Sequence, residues 1–241
     1  MCGRYTLTTP ADLVAQVFRL GVVSEYPPRW NIAPTQLAPV IRVDRTTGER
    51  RLDLLRWGLI PFWAKTESVG AKMINARVES VAGKPPFAQL LERRRCLVPA
   101  DAFYEWLKPE STKQRKQPFA IRLKGDRVFA FAGLWDRWKN ENGEKIESYT
   151  ILTTQPNEVA GRYHDRMPVM LISPEQWDRW LDQSLTGIEA LKPMLTAPPD
   201  ETMHAYPVSP RVNSADNDDA DLLRELPAPH PAETQRSLFE A

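Results

Sequence analysis

The chain has 241 residues, enough for one large domain or two small ones and for a core that needs no disulfide or metal staple. Lys plus Arg number 32 against 31 for Asp plus Glu, a formal charge of +1 that by itself excludes neither a nucleic acid nor an acidic substrate. Seven acids and two bases follow Asn213, which leaves that segment at −5 and residues 1–213 at +6, a basic body compatible with a polyanionic partner.

In chain order, Thr9-Pro10 ahead of Leu13, Val14, Val17 and Phe18 predicts a short amphipathic helix with an N-cap, and Gly21 predicts its stop. Strand patterns follow at residues 37–43, 52–57, 96–99, 103–107, 119–123, 128–134, 148–153 and 168–172. Phe119, Ile121 and Leu123 alternate with polar or small neighbours, and Gly125-Asp126 then stands where a tight hairpin turn belongs. The 128–134 run is apolar on both faces and predicts a central strand. Short helices are expected at 87–94 and 157–162. Another should follow Ser173-Pro174, where Gln176 completes a capping box and Trp177, Trp180 and Leu181 share a face. Trp57, Trp135, Trp177 and Trp180 read as core. The runs Arg93-Arg94-Arg95 and 113–116 read as solvated faces with diffuse electrostatic roles.

Strands in sequence with a few helices predict an α+β fold: one domain over residues 1–213, built on a curved, mainly antiparallel, barrel-like sheet with peripheral helices. Residues 214–241, rich in Asp, Ala, Pro and Glu, are expected to be a disordered acidic tail. Two cysteines and three scattered histidines (164, 204, 230) offer no zinc spacing, so neither metal nor cofactor is expected. The longest nearly apolar run is far short of a membrane span, and no basic region followed by an apolar stretch opens the chain; a soluble cytoplasmic protein is expected. Cys96 opens an apolar strand and reads as an inert core thiol.

The chain opens Met1-Cys2-Gly3-Arg4. Cysteine is small enough to permit removal of the initiator methionine, which would leave an α-amine and a thiol on neighbouring carbons. Such an amine, with a pKa of about 7.7 to 8.0, is partly neutral near pH 7 and attacks aldehydes to form an imine. The tethered thiolate then closes on the imine carbon to make a thiazolidine. The same opening also fits an N-terminal cysteine amidohydrolase, in which the thiol attacks a side-chain amide, so the tripeptide alone leaves both readings open.

Further along stand Trp30-Asn31-Ile32-Ala33-Pro34, Trp57-Gly58-Leu59-Ile60-Pro61, Ile74-Asn75-Ala76-Arg77-Val78-Glu79, Phe103-Tyr104-Glu105-Trp106 and His164-Asp165-Arg166-Met167-Pro168. With Cys2-Gly3-Arg4-Tyr5 these occur in the order of the SRAP family, the SOS-response-associated peptidases now viewed as abasic-site processing proteins, and the chain resembles that family from residue 2 to about 209. No glycine-rich and asparagine motif of the amidotransferase kind follows. The resemblance implies capture of abasic sites, preferably in single-stranded DNA, as a covalent DNA–protein crosslink through Cys2. It implies Glu105 as a proton shuttle on a half-buried strand, His164 as the donor to the sugar ring oxygen, and Asn75 as the amide that holds the opened sugar. It assigns Arg4, Arg77 and Arg166 to phosphates and Trp63, preceded by Phe62, to the space beside the missing base, while Asn31 and Pro34 shape the groove. Met167 rather than a base follows Arg166, which removes one further phosphate contact from that motif. A weak lyase activity and removal of Met1 by the protein itself are compatible with the family. A non-catalytic single-stranded DNA-binding module is the other alternative. Near the C-terminus, Gln235, Leu238 and Phe239 resemble the short Gln-x-x-Leu-Phe peptide that docks on the replicative sliding clamp.

Overall fold

The structure, a computed structural model, describes residues 2–21, 25–84, 87–107 and 116–227. Among these, the strands in chain order are β1 (Tyr5–Leu7), β2 (Arg29–Ile32), β3 (Leu37–Val43), β4 (Arg50–Trp57), β5 (Asn75–Arg77), β6 (Arg95–Ala100), β7 (Ala102–Leu107), β8 (Gln117–Leu123), β9 (Phe129–Lys139), β10 (Lys145–Thr154), β11 (Met167–Pro168), β12 (Met170–Leu171) and β13 (Met203–Pro207). The order β10-β4-β3-β6-β9 closes on itself because β9 pairs back onto β10, giving a five-stranded barrel with β5, β11 and β12 at its margins. Its pairings are antiparallel except β10 with β4 and with β5. The second sheet, β13-β8-β7-β1-β2, is antiparallel throughout. The fold is thus α+β, and the expected barrel-like, mainly antiparallel sheet is present.

Tyr5 joins the two sheets. It is fully buried, meets Trp57 edge-on at 5.2 Å, and its hydroxyl lies 2.7 Å from that of Tyr149 on β10. Burying these rings gives the core much of its apolar area, and the paired hydroxyls satisfy each other. The chain passes from barrel to second sheet at Asp101, between β6 and β7. The buried Asp101 carboxylate accepts from the amides and hydroxyls of Thr8 and Thr9, fastening the far end of β1 to this crossing.

Several expectations need correction. Thr9 does not cap the first helix: its hydroxyl is taken by Asp101, and the helix Ala11–Phe18 ends at Arg19, whose φ of 55° does the work expected of Gly21. Gly125 and Asp126 do turn the chain, but no hairpin results, because β8 pairs with β7 and β13 while β9 belongs to the barrel. The 168–172 run is two strands, one pairing with β10 and the next with β9. Trp135 is only half-buried and lies under the guanidinium groups of Arg42 and Arg94, at 4.3 and 5.0 Å from its ring centroid. The Ser173 capping box and the central β9 form as the sequence predicts.

Arg95 is not on a solvated face. It is 6% exposed and donates to the carbonyls of Leu91 and Glu92 at the end of the helix Phe87–Arg93 and of Trp180 and Asp182 at the end of the helix Pro174–Leu181. One cation thus closes two helix C-termini, where the backbone carries partial negative charge. Arg95→Met should lower unfolding stability by about 3 kcal/mol, read as a shift in urea midpoint, because four carbonyls lose their donor, those of Leu91 and Trp180 in buried contacts.

The expectation of disorder from Ser214 is also corrected for residues 214–227. Asp218 accepts from the amides of Trp30 and Asn31 and from the Arg29 guanidinium, and Leu222 is fully buried with Tyr104 and Tyr206. Leu222 supplies a buried anchor, and Asp218 exchanges solvent for three donors, which outweighs the local Asp and Asn content. Residues 113–115, Gln235, Leu238 and Phe239 lie outside the described residues. No described helix is long and apolar enough to cross a membrane.

Candidate active site

The site forms where the N-terminus runs along the second sheet beside the barrel. β1 pairs antiparallel to β7 with Tyr5 opposite Phe103, and the Tyr104 amide donates to the Arg4 carbonyl at 3.0 Å. Followed back from Tyr5, this register brings Gly3 and Cys2 alongside Glu105. Asn75, on β5 at the barrel margin, reaches across and donates from Nδ2 to the Cys2 carbonyl at 2.8 Å. Its Oδ1 is buried and has no hydrogen-bond partner among the described residues, which leaves a directed acceptor beside Cys2.

Cys2 itself is fully buried, not exposed as an N-terminal residue would suggest. Its Sγ lies 3.8 Å from the Arg4 carbonyl, and burial, with the nearby Glu105 charge, pushes the thiol well above its ordinary range. Glu105 is 3% exposed, and burial pushes its carboxyl up to about 7, against an opposing pull from the N-terminal positive charge and with a smaller upward push from Asp165. A carboxyl poised there exchanges protons in both directions near neutral pH.

His164 arrives from the loop between β10 and β11. Tyr163 packs on Phe119 with ring centroids 4.5 Å apart, and Phe119 is the cross-strand partner of Glu105 in β8. That contact holds the His164 loop over the Glu105 strand. The His164 Nδ1 lies 2.6 Å from Asp165 Oδ1 and 3.1 Å from the Arg166 amide nitrogen. The amide contact needs a lone pair on Nδ1 and the carboxylate contact a proton, so the two exclude each other.

The predicted DNA contacts divide. Arg77 is exposed, and Trp63 and Phe62 are 55% and 61% exposed on a loop that leaves the barrel after β4. Arg4 is half-buried, donating to the Gly3 carbonyl at 2.9 Å and reaching the Asn213 carbonyl at 3.5 Å. Pro34 is half-buried in the turn between β2 and β3, where Thr35 takes a φ of 73°. Arg166 and Asn31 are placed differently from expectation. Arg166 is 6% exposed and forms a bidentate pair with Glu79 at 2.6 and 2.9 Å, besides donating to the Thr153 carbonyl. It clamps the His164 loop to the barrel instead of facing phosphate, since a buried Arg needs a fixed counter-charge. Asn31 is fully buried, and its Nδ2 lies within hydrogen-bond reach of the carbonyls of Val212, Ser214 and Asn217. It therefore holds the 212–217 segment in place.

Sequence reasoning missed Glu79, Asp101 and Tyr163. Glu79 closes the Asn75 motif and pairs with the histidine motif, a spacing that a two-motif comparison of charges could have suggested. Cys96 is fully buried in β6, as its apolar neighbours predicted.

The chain belongs to the SOS response associated peptidase (SRAP) family, whose family model matches residues 1–215. Among its relatives, Abasic site processing protein YoaM of Bacillus subtilis is 42% identical over 226 residues, covering 92% of this chain and 97% of that one. Abasic site processing protein HMCES of Xenopus tropicalis is 30% identical over 266 residues, covering 94% of this chain and 78% of that protein. A solved structure of a Bacteroides thetaiotaomicron protein superimposes with a TM-score of 0.80 at 26% identity, covering 93% of this chain and 100% of the other.

Proposed function

We propose that this protein processes abasic sites in single-stranded DNA by forming a covalent crosslink through Cys2 once Met1 has been removed. The observation that carries the reading is the grip of Asn75 on the Cys2 carbonyl with Glu105 alongside. Together they fix the 1,2-aminothiol beside a proton shuttle. The amine adds to C1′ of the ring-opened sugar, and the resulting hydroxyl leaves as water when Glu105 supplies a proton. The S–H then adds across the C=N bond, sulfur to C1′ and hydrogen to nitrogen, closing the thiazolidine. His164 protonates the sugar ring oxygen as the ring opens, and the Asn75 Oδ1 accepts from a sugar hydroxyl. Arg4 and Arg77 meet phosphates, Trp63 fills the space beside the missing base, and Pro34 borders the groove. Asn31 and Arg166 support this surface from inside.

An imine at C1′ acidifies the adjacent C2′ proton, so slow strand cleavage belongs to the same reading. The cytoplasm or nucleoid and the response to DNA damage are the corresponding setting. Gln235, Leu238 and Phe239 are proposed as a sliding-clamp peptide; a peptide of residues 231–241 should bind the clamp and lose binding on Leu238→Ala with Phe239→Ala. Equal binding by both peptides removes that part.

On denaturing gels the protein should retard an abasic oligonucleotide and not an intact one. Cys2→Ser keeps the amine and lacks the thiol, so its adduct should need borohydride reduction to survive. A persistent unreduced adduct with Cys2→Ser contradicts thiazolidine closure.

A further inference from the structure

Behind the exposed Phe62 and Trp63, the loop that bears them is pinned to the end of β9. The Phe62 amide donates to Asp136 Oδ2 at 2.9 Å, and the Trp138 indole donates to the Ala64 carbonyl at 2.6 Å. Asp136 is 1% exposed, and its other oxygen accepts from Arg94 Nη1 at 2.6 Å. The Arg94 guanidinium and the Phe62 amide therefore share one carboxylate, which places a cation directly beside the aromatic ledge.

Arg94 also forms part of the wall of a cavity of about 290 Å³ at one mouth of the barrel, together with Arg42, Arg45, Arg51, Arg137 and Trp135. The carboxylates Asp53, Asp136 and Glu147 pair with these arginines but do not line the cavity, whose wall carries Asp44 as its carboxylate among the described residues. A guanidinium has five donors, and the pairs engage only some of them. Arg51 uses Nε and Nη1, Arg94 uses Nη1, and Arg137 uses Nε and Nη2. Arg51 Nη2, Arg94 Nε and Nη2, and Arg137 Nη1 have no hydrogen-bond partner among the described residues. These three side chains are 44%, 33% and 51% exposed. Arg42 and Arg94 are held over the Trp135 ring, so two of the cations are oriented in advance.

We propose that a nucleic-acid strand stacking on Phe62 and Trp63 continues over Arg94 into this arginine-lined mouth, where Arg51, Arg94 and Arg137 contact phosphodiesters of one flank of the lesion. The assignment rests on the single-stranded DNA reading above and adds the direction of the strand across the protein. It differs from the predicted contacts, Arg4 beside β1 and Arg77 on β5, in using Arg51 of β4, Arg94 just before β6 and Arg137 of β9.

The test uses the full chain and oligonucleotides holding a tetrahydrofuran abasic analogue, which has no aldehyde and so reports binding without chemistry. Fluorescence anisotropy is followed against salt for oligonucleotides lengthened on one flank or the other. The wild type should gain affinity from one flank only. Arg94→Gln with Arg137→Gln should erase that gain and flatten the log affinity against log salt slope by roughly 0.7 for each lost phosphate contact. Arg94→Lys should keep the slope, and Arg137→Gln alone, at an exposed position, should give part of the loss without a change in melting temperature. Unchanged flank gain and slope in both glutamine variants overturns the path. Should the slopes change as expected while true abasic oligonucleotides form no adduct, the path stands and the crosslinking chemistry falls.

Discussion

Glu105→Gln is expected to slow capture of an abasic oligonucleotide by on the order of 10²-fold or more while making the protein more resistant to unfolding above neutral pH. Glutamine keeps the shape and removes the exchangeable proton, so imine formation and thiol addition lose their shuttle. The stability effect follows from the carboxyl being raised from an ordinary 4.5 to about 7 in the fold, chiefly by burial. The folded state then binds this proton more tightly than the unfolded chain does. The contribution is fully favourable below about 4.5 and is lost as pH rises through 7, reaching about 3 kcal/mol in alkaline solution. The glutamine variant escapes that loss, so its melting temperature should exceed that of the wild type at pH 8 and approach it at pH 5. The wild-type rate of capture should show an inflection near pH 7 that the variant lacks, beside the one that both owe to the Cys2 amine. A variant that captures at the wild-type rate, or melts lower at pH 8, contradicts the assigned role. Stability given up at a working group in this way is a common trade in enzymes.

Gly58→Ala is expected to have the largest effect on the fold itself. Gly58 has a φ of 120°, and a Cβ there would stand 2.5 Å from the Gly70 carbonyl oxygen; reciprocally, a Cβ on Gly70 would stand 2.6 Å from the Gly58 oxygen. Both obstacles are backbone, which cannot swing aside as a side chain does. Gly58 also donates its amide to the Tyr149 carbonyl at 2.8 Å, so the strand end cannot shift without losing a buried bond. The loop bearing Phe62 and Trp63 departs here. A loss on the order of 3 kcal/mol or more is expected, with a matching loss of preference for abasic over intact strands. Gly48, at φ 75° with nothing within 4 Å of its would-be Cβ, is the control, and Gly48→Ala should lower stability by only about 1 kcal/mol. Equal urea midpoints for the two variants would refute the close-approach explanation.

Much of this was legible in the sequence because period-two alternation and capping chemistry are local. The strands 37–43 and 103–107 and the Ser173 capping box are read from a few neighbouring residues. What failed was non-local. Gly125-Asp126 turns the chain as its residue types demand, but whether the next strand pairs back depends on the partners that compete for it, β6 upstream of β7 and the β10 that follows. β1, β2, β5 and β13 are short, and their patterns are too brief to stand out; each is stabilised by its neighbours rather than by its own propensity. Residues 214–227 were misjudged by composition, since the acids that signal disorder include Asp218, which is held by three donors from β2. At the site, the family resemblance rather than residue type singled out Glu105, His164 and Asn75 beside Cys2, whereas only the three-dimensional arrangement could tell an arginine facing solvent, such as Arg77, from one paired inside, such as Arg166.

The most direct measurement is peptide-level mass spectrometry of purified protein after reaction with an abasic oligonucleotide, resolving the N-terminus of the adduct. The account predicts that all of the bonded protein begins at Cys2, with the sugar carbon attached to that residue's nitrogen and sulfur. Adduct on chains that still carry Met1, or attached at any other side chain, would contradict it.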